Sequence, residues 1–323
     1  MDRHVIVGAG AVGTHTARHL VAAGHEVRVV TRSGSGPTEP GIERVAADAT
    51  DPGALARLVD GAAALYNCAN PSGYHQWTRD WPPLAASLLA TAERTGAVLV
   101  TMSNLYGYGP VDAPMTEDTP LAATGSKGRI RARMWLDALA AHEAGRARVT
   151  EARASDFFGP EGGNDHLGRR FMPKLLAGKR LSHIASPDVP HSWTYLPDVG
   201  RALATLGTDE RAWGRAWHVP TNPPLTYRQM AELMAAEADA PTPKISTIPH
   251  WLQRGLGLAM PMVRELEETH HQFAEPWILD SSAVTEVFGL EPTPMARAVS
   301  DTVAWWSQHL DVVDVEDGGS ASM

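Results

Sequence analysis

One cysteine, Cys68, stands in 323 residues, so the chain forms no internal disulfide and is not a disulfide-stapled secreted scaffold. It lacks any run near the roughly 18 consecutive apolar residues that a membrane helix needs. The N-terminus also lacks the long apolar stretch of a signal peptide. By elimination the expected location is cytoplasmic. An excess of positive charge is missing as well, because 28 Lys and Arg face 37 Asp and Glu, for a formal net charge of -9. That balance argues against nucleic acid or anionic membrane as the main partner, since either selects a basic face. What remains, with 43% hydrophobic and 20% charged residues, is the composition of a globular protein with length for one large domain or two ordinary ones.

Short apolar runs alternate with helical patterns through the first half. "HVIVGAG" predicts a strand and turn, "VGTHTARHLVAAG" a helix closed by Gly24, and "HEVRVVTRS" a second strand. "DPGALARLVDG" starts a helix at an Asp-Pro cap, and "AALYNCA" is a strand. "WPPLAASLLATAERTG" is a helix with Gly96 beyond its end, and "AVLVTMS" a further strand. A helix over about 125–145 precedes the strand "ARVTEARAS". Strands separated by helices of this length predict βαβ units and a parallel sheet buried on both faces. After residue 160 the pattern changes to a glycine-rich loop, a short helix in "FMPKLLAGKRL", and a strand entering a helix in "SWTYLPDVGRALATLG". Beyond about residue 220 helices dominate.

"VGAGAVG" places Gly8, Gly10 and Gly13 directly after the first strand and at the mouth of a helix. One glycine makes the tight turn, one lets backbone approach a pyrophosphate, and one lets helix and strand pack closely. With Ala11 and Val12 they present free N–H groups at a helix N-terminus. The second strand ends at Thr31, Arg32 and Ser33, where an acid would hold the ribose 2′-OH of NAD. A guanidinium in that place suits a 2′-phosphate, so NADP(H) is favoured over NAD(H). Asp48 and Ala49, in "AADATD", lie where an adenine could rest.

The order of these motifs resembles the extended short-chain dehydrogenase/reductase family, the NAD-dependent epimerase/dehydratase group. The resemblance covers about residues 3–308. It is carried by the glycine loop, "DATD", "SNLYGYGP", the lysine of "GSKG", "RASDFFGP", "YLPDVGRAL", and "FGLEPTP" before a terminal helix ending "AWW". It implies a Rossmann-type, doubly wound α/β fold with a smaller, mainly helical substrate domain. The expected division is 1–160 and 187–220 for dinucleotide binding, 161–186 and 221–310 for substrate, and 311–323 as a frayed tail. The family works with a Ser/Thr and with Tyr-x-x-x-Lys, a spacing that sets both side chains one turn apart on a helix face. The tyrosine is the acid/base, and the lysine holds the nicotinamide ribose. Here the lysine matches Lys127, but the tyrosine position is Ala123 and the Ser/Thr position falls on Met102. The glycine loop departs too, with Val7 where the family more often has its first glycine.

Substitutes for the missing tyrosine have to come from the loops. Tyr106 and Tyr108 follow a strand's C-terminal end, where ligands sit in open α/β sheets, and Ser103 shares that stretch. Tyr74 follows the loop of Ala69 and Asn70 that should pass the nicotinamide. His191 and His166 lie in regions that family members use around the substrate, and Phe157 and Phe158 shape its mouth. The expected catalytic set is Tyr106, Lys127, Ser103 and His191, with Tyr74, Tyr108, Phe157, Phe158 and His166 toward substrate. No metal is expected, since His270 and His271 are neighbours that face different ways on a helix. The C-terminal tryptophans are expected to fill the core of the second domain. Three functions fit. The first is an NADP-dependent oxidoreductase acting on a small organic or secondary-metabolite carbonyl or an activated C=C bond. The second is a sugar-nucleotide epimerase or dehydratase, and the third a non-catalytic NADP-sensing protein. The expected partner is a small-molecule substrate, with a homodimer as an open oligomeric option.

Overall fold

The computed structural model describes residues 2–71, 73–163, 165–247 and 267–310, so the expected tail at 311–323 lies outside the described residues. Seven strands form the central sheet: β1 (Arg3–Val7), β2 (Glu26–Thr31), β3 (Ile42–Ala46), β4 (Ala64–Asn67), β5 (Val98–Asn104), β6 (Val149–Ala154) and β11 (Arg215–His218). Their order is β3-β2-β1-β4-β5-β6-β11, with every neighbouring pair parallel. The chain therefore winds outward from β1 to β3 and then restarts on the other side of β1. That reversal opens a crevice at the carboxyl ends of β1 and β4. The parallel sheet expected from the apolar runs and the doubly wound α/β fold that the resemblance implies are both observed.

β1 shows why these runs carry no polar alternation. Ile6 packs into one core and Val5 and Val7 into the other, so both faces are dry. Helices α1 (Ala11–Ala22) and α6 (Leu196–Thr208) cover the Ile6 side, while α2 (Pro52–Val59), α3 (Trp77–Thr95) and α4 (Ser126–Glu143) cover the other. Helix α1 is a poor helix by propensity. Gly13, Thr14, His15 and Thr16 each weaken it by roughly 0.5–1 kcal/mol relative to alanine. Burial of Leu20, worth about 2 kcal/mol, and close packing on α6 offset this. A Cβ on Gly200 of α6 would lie 2.5 Å from the His15 carbonyl carbon, so the glycine sets that approach.

Two local readings change. Helix α3 starts at Trp77, a turn before "WPP", because Trp77 and Trp81 are both buried on its inner face. Strand β11 was not among the expected strands; its four residues are too few to show a period, and pairing with β6 defines it. Asp51 caps α2 as its Asp-Pro start predicts, accepting from the Gly53 and Ala54 N–H groups.

The rest of the chain builds a separate apolar cluster. It joins Phe171, Met172 and Leu175 around α5 (Met172–Leu176), Tyr227, Met230 and Met234 of α7 (Tyr227–Glu237), and Val299, Val303 and Trp306 of the helix Met295–Gln308. Short strands form two-stranded sheets of their own: β7 (Asp156–Phe158) pairs with β10 (Trp193–Tyr195), and β9 (Pro190–His191) pairs with β12 (Leu225–Thr226). β8 (Leu181–His183) pairs with β13 (Ile245–Thr247). Trp193 and Trp306 fill this cluster as expected of the C-terminal tryptophans, but Trp217 packs on the central sheet instead.

Candidate active site

The glycine loop is built as its spacing requires. Gly8 has φ +103°, and a Cβ there would lie 2.7 Å from Ala69 N and Cys68 O. A Cβ on Gly13 would lie 2.0 Å from Gly8 O, so this glycine lets helix and strand touch. Around Gly10 nothing would meet a Cβ within 4 Å, which leaves space in front of the α1 N-terminus. No side chain caps that end, and no acid stands in its first turn. Open N–H groups, the positive end of a helix dipole and clear space fit a pyrophosphate. At the end of β2, Thr31 Oγ1 donates to Ser35 O at 2.9 Å and Ser33 Oγ to Ser35 Oγ at 2.9 Å. Arg32 is exposed beside them. Asp48 accepts from the N–H and hydroxyl of Thr50, and these bonds hold its carboxyl below the usual range. Ala49 follows it, half-buried.

Next to this loop lies a cavity of about 210 Å³. Val12, Ala69 and Asn70 form its side toward the glycine loop, and Tyr74, Trp77, Met102, Ser103 and Tyr106 form its floor. Asp156, Phe157, Asp165, His166, Gln272 and Trp277 close the far wall. A larger groove of about 610 Å³ runs between α3 and α4, but its lining includes neither the glycine loop nor either tyrosine.

The phenols of Tyr74 and Tyr106 are hydrogen-bonded at 2.8 Å. Burial pushes both well away from ionisation, Tyr106 most strongly, so both stay protonated at neutral pH. Trp77 stacks on Tyr106, and the guanidinium of Arg131 lies over Trp77 and Trp81 at 5.0 and 4.1 Å. Burial lowers Arg131 to about 10, which leaves it charged at neutral pH. Arg131 also donates to Asn70 Oδ1 at 3.3 Å.

The Tyr-x-x-x-Lys geometry changes in physical terms. Helix α4 begins at Ser126, so Ala123 lies in the extended approach to the helix and not one turn from Lys127. The residue one turn along the same face is Arg131, also buried. Lys127 itself is 1% exposed, with Nζ 5.3 Å from the Tyr74 ring centroid and 3.3 Å from Glu268 Oε2. Glu268 also caps α4 from a distant part of the chain. Its Oε1 accepts from the Lys127 N–H at 2.7 Å, and its Oε2 from Ser126 Oγ at 2.9 Å. Gly125 makes room for it, since a Cβ there would lie 2.3 Å from Glu268 Oε1. Burial raises the Glu268 pKa, but these hydrogen bonds and Lys127 outweigh it, so the net shift is downward.

The far wall holds a second polar group. His191 Nε2 lies 2.8 Å from Asp156 Oδ2, and its Nδ1 lies 3.1 Å from Gln272 O. Burial raises the Asp156 pKa, yet the His191 bond and the surrounding histidines outweigh it and the net shift is downward. Asp165 is pushed up to about 6, by burial first and by the Asp156 charge. Burial lowers His166 and takes His183 to about 4.

Of the residues expected from sequence, Tyr74, Ser103, Tyr106, Phe157 and His166 line the cavity, and Lys127 and His191 stand behind its walls. Ser103 also hydrogen-bonds the buried Glu151. Two expectations of substrate contact have no counterpart in that lining. Tyr108 is buried elsewhere, its hydroxyl 2.7 Å from His218 Nε2 and accepting from Arg153 at 2.8 Å. Phe158 points into the apolar cluster of the second region, because alternate residues of β7 face opposite ways. Asp156, Arg131, Asp165 and Glu268 were not anticipated. Asp156 sits inside the quoted "RASDFFGP", and Arg131 is four residues after Lys127, so both had a local signal. Among the described residues no group of three or more His, Cys, Asp or Glu is placed to hold a metal ion, and no helix is long and apolar enough to cross a membrane.

Comparison with known proteins agrees with this architecture. The chain is 29% identical over 256 residues to 2'-dehydrokanamycin reductase of Streptomyces kanamyceticus, covering 76% of this chain and 68% of that protein. Epimerase Mth375 of Methanothermobacter thermautotrophicus superimposes with a TM-score of 0.81 at 17% identity, over 97% of this chain and 94% of that one. The Bordetella bronchiseptica enzyme WbmH, solved in complex with NAD+, gives 0.74 at 19% identity, over 96% and 100%. Both structures share the fold. The model of the NAD dependent epimerase/dehydratase family matches residues 4–218. The chain is a member of that enzyme family.

Proposed function

We propose that the protein is an NADP(H)-preferring oxidoreductase that reduces a small organic carbonyl or an activated C=C bond. The observation that carries this reading is the neutral Tyr74–Tyr106 pair on the cavity floor. Two phenols hold two O–H protons but share only one mutual bond, so one O–H remains to donate outward. Aimed at a substrate oxygen, it stabilises charge developing there, as an oxyanion site does. A curated relative bearing the name of a reductase supports the direction.

The bound dinucleotide supplies the hydride. The chain does the positioning. Gly8, Gly10, Ala11, Val12 and Gly13 take the pyrophosphate, and Thr31, Arg32 and Ser33 take a 2′-phosphate. Asp48 and Ala49 flank the adenine, Ala69 and Asn70 hold the nicotinamide end, and Lys127 supports that end from behind the cavity wall. Tyr74, Phe157 and His166 contact substrate. Fluorescence titration should give tighter binding of NADPH than of NADH, and a panel of ketones and enones should show NADPH consumption. Equal affinities would remove the NADP preference, and NADPH left unoxidised across the panel would remove the reductase.

A further inference from the structure

We infer that Asp156 is the acid that protonates the substrate oxygen, and that His191 behind it is the positioning residue that resupplies its proton. The inference rests on the reductase reading, and it starts from a count of hydrogens. The Gln272 carbonyl 3.1 Å from His191 Nδ1 can only accept, so Nδ1 carries a hydrogen. A neutral ring would then turn a bare Nε2 lone pair toward Asp156 Oδ2 at 2.8 Å, and two lone pairs repel at that distance. The pair therefore holds one further proton between Nε2 and Oδ2.

Packing favours keeping that proton and directing it to the cavity. The imidazole is stacked on Phe273 at 5.2 Å and 6°, and the Trp193 ring lies 4.4 Å away, tilted by 39°. The Phe273 face stacked on the imidazole accommodates the extra proton of the pair. His191 is nearly closed off, with 4% of its side chain exposed, whereas the Asp156 side chain is 18% exposed and lines the cavity. β7 pairs with β10 so that Asp156 lies opposite Trp193, two residues after His191, which brings the carboxylate beside the imidazole. The charged and titratable groups around the pair are His166 and Asp165 beside it, His183 on β8, and Tyr74 and Tyr106 across the cavity.

The step balances as follows. The substrate carbon takes hydride from a reduced nicotinamide dinucleotide, and the C=O π pair moves onto oxygen. That oxygen forms its O–H bond as the Asp156 O–H breaks, the proton having left Nε2 for the carboxylate. The pair ends as an ionised Asp156 and a neutral His191 with Nδ1–H on Gln272, and solvent returns the proton.

Asp156→Asn keeps the shape and removes the acid. Its kcat should fall about 100-fold or more, with NADPH affinity unchanged. His191→Gln should keep turnover at acid pH and move the alkaline limb of the kcat profile to lower pH, because Asp156 is no longer resupplied. Proton NMR of the protein without dinucleotide should show, near neutral pH, one strongly deshielded exchange-protected signal that both variants lose. Wild-type kcat in Asp156→Asn, or no such signal in the wild type, overturns the inference. Failure of the wild type to bind or oxidise NADPH overturns the reductase reading instead, and the NMR signal still decides whether the proton is held.

Discussion

The two ends of the ligand crevice are made in different ways. At the phosphate end, six consecutive residues from Gly8 to Gly13 do the work, mostly through backbone, and side-chain volume is what must be absent. At the cavity end, partners meet from far apart: Tyr74 with Tyr106, Asp156 with His191, Lys127 with Glu268. The first end depends on local geometry and tolerates little change of shape. The second depends on tertiary placement of polar groups and is sensitive to single atoms. The loop can thus be kept by its own local geometry while the side chains at the cavity end change.

That contrast can be broken from either side. The largest effect is expected for Gly13→Ala, because its Cβ would meet backbone at 2.0 Å. Thermal denaturation should show a loss of about 3 kcal/mol together with loss of NADPH binding. Gly10→Ala is its control: with open space around it, stability should stay near wild type while NADPH binds more weakly. Next comes Tyr106→Phe, which removes one of two phenols and should lower kcat about 100-fold without altering dinucleotide affinity in a titration. If kcat survives, the tyrosine pair is only packing. Arg32→Ser should lower the ratio of NADPH to NADH affinity by about tenfold and leave both tyrosine and aspartate behaviour alone.

The smallest effect is expected for Glu268→Gln, at about 1 kcal/mol for a weakened cap. Its sign with pH is definite. The Glu268 pKa is lowered in the folded state, so its contribution is present above the ordinary carboxylate pKa and is lost as pH falls through the folded value. The stability gap between wild type and Glu268→Gln should therefore close in acid. A gap that widened there would refute the capping account.

The same contrast explains what could be read beforehand. The glycine loop, the apolar runs of β1 and β5 and the cap at Asp51 are decided by near neighbours, so their patterns carry them. The absence of tyrosine from "PLAATGSKG" was equally plain, and Tyr74, Tyr106 and His191 stood out as replacements. Their partners did not. Nothing near Lys127 in the chain announces Glu268, 141 residues on, and nothing near His191 announces Asp156. Strand β11 escaped for the same reason, since only pairing with β6 makes four residues a strand. Tyr108 and Phe158 stand outside the cavity lining because a residue one or two places from a cavity-lining one can face the opposite way.

The reach of Glu268 to the head of α4 bears on modularity. The segment that supplies this carboxylate lies far along the chain, beyond the residues that the family model matches. A chimera that replaced it with a relative's segment lacking the acid would leave the lysine helix uncapped from 141 residues away. In this chain the head of α4 and the segment at Glu268 form one structural unit, although 141 residues separate them.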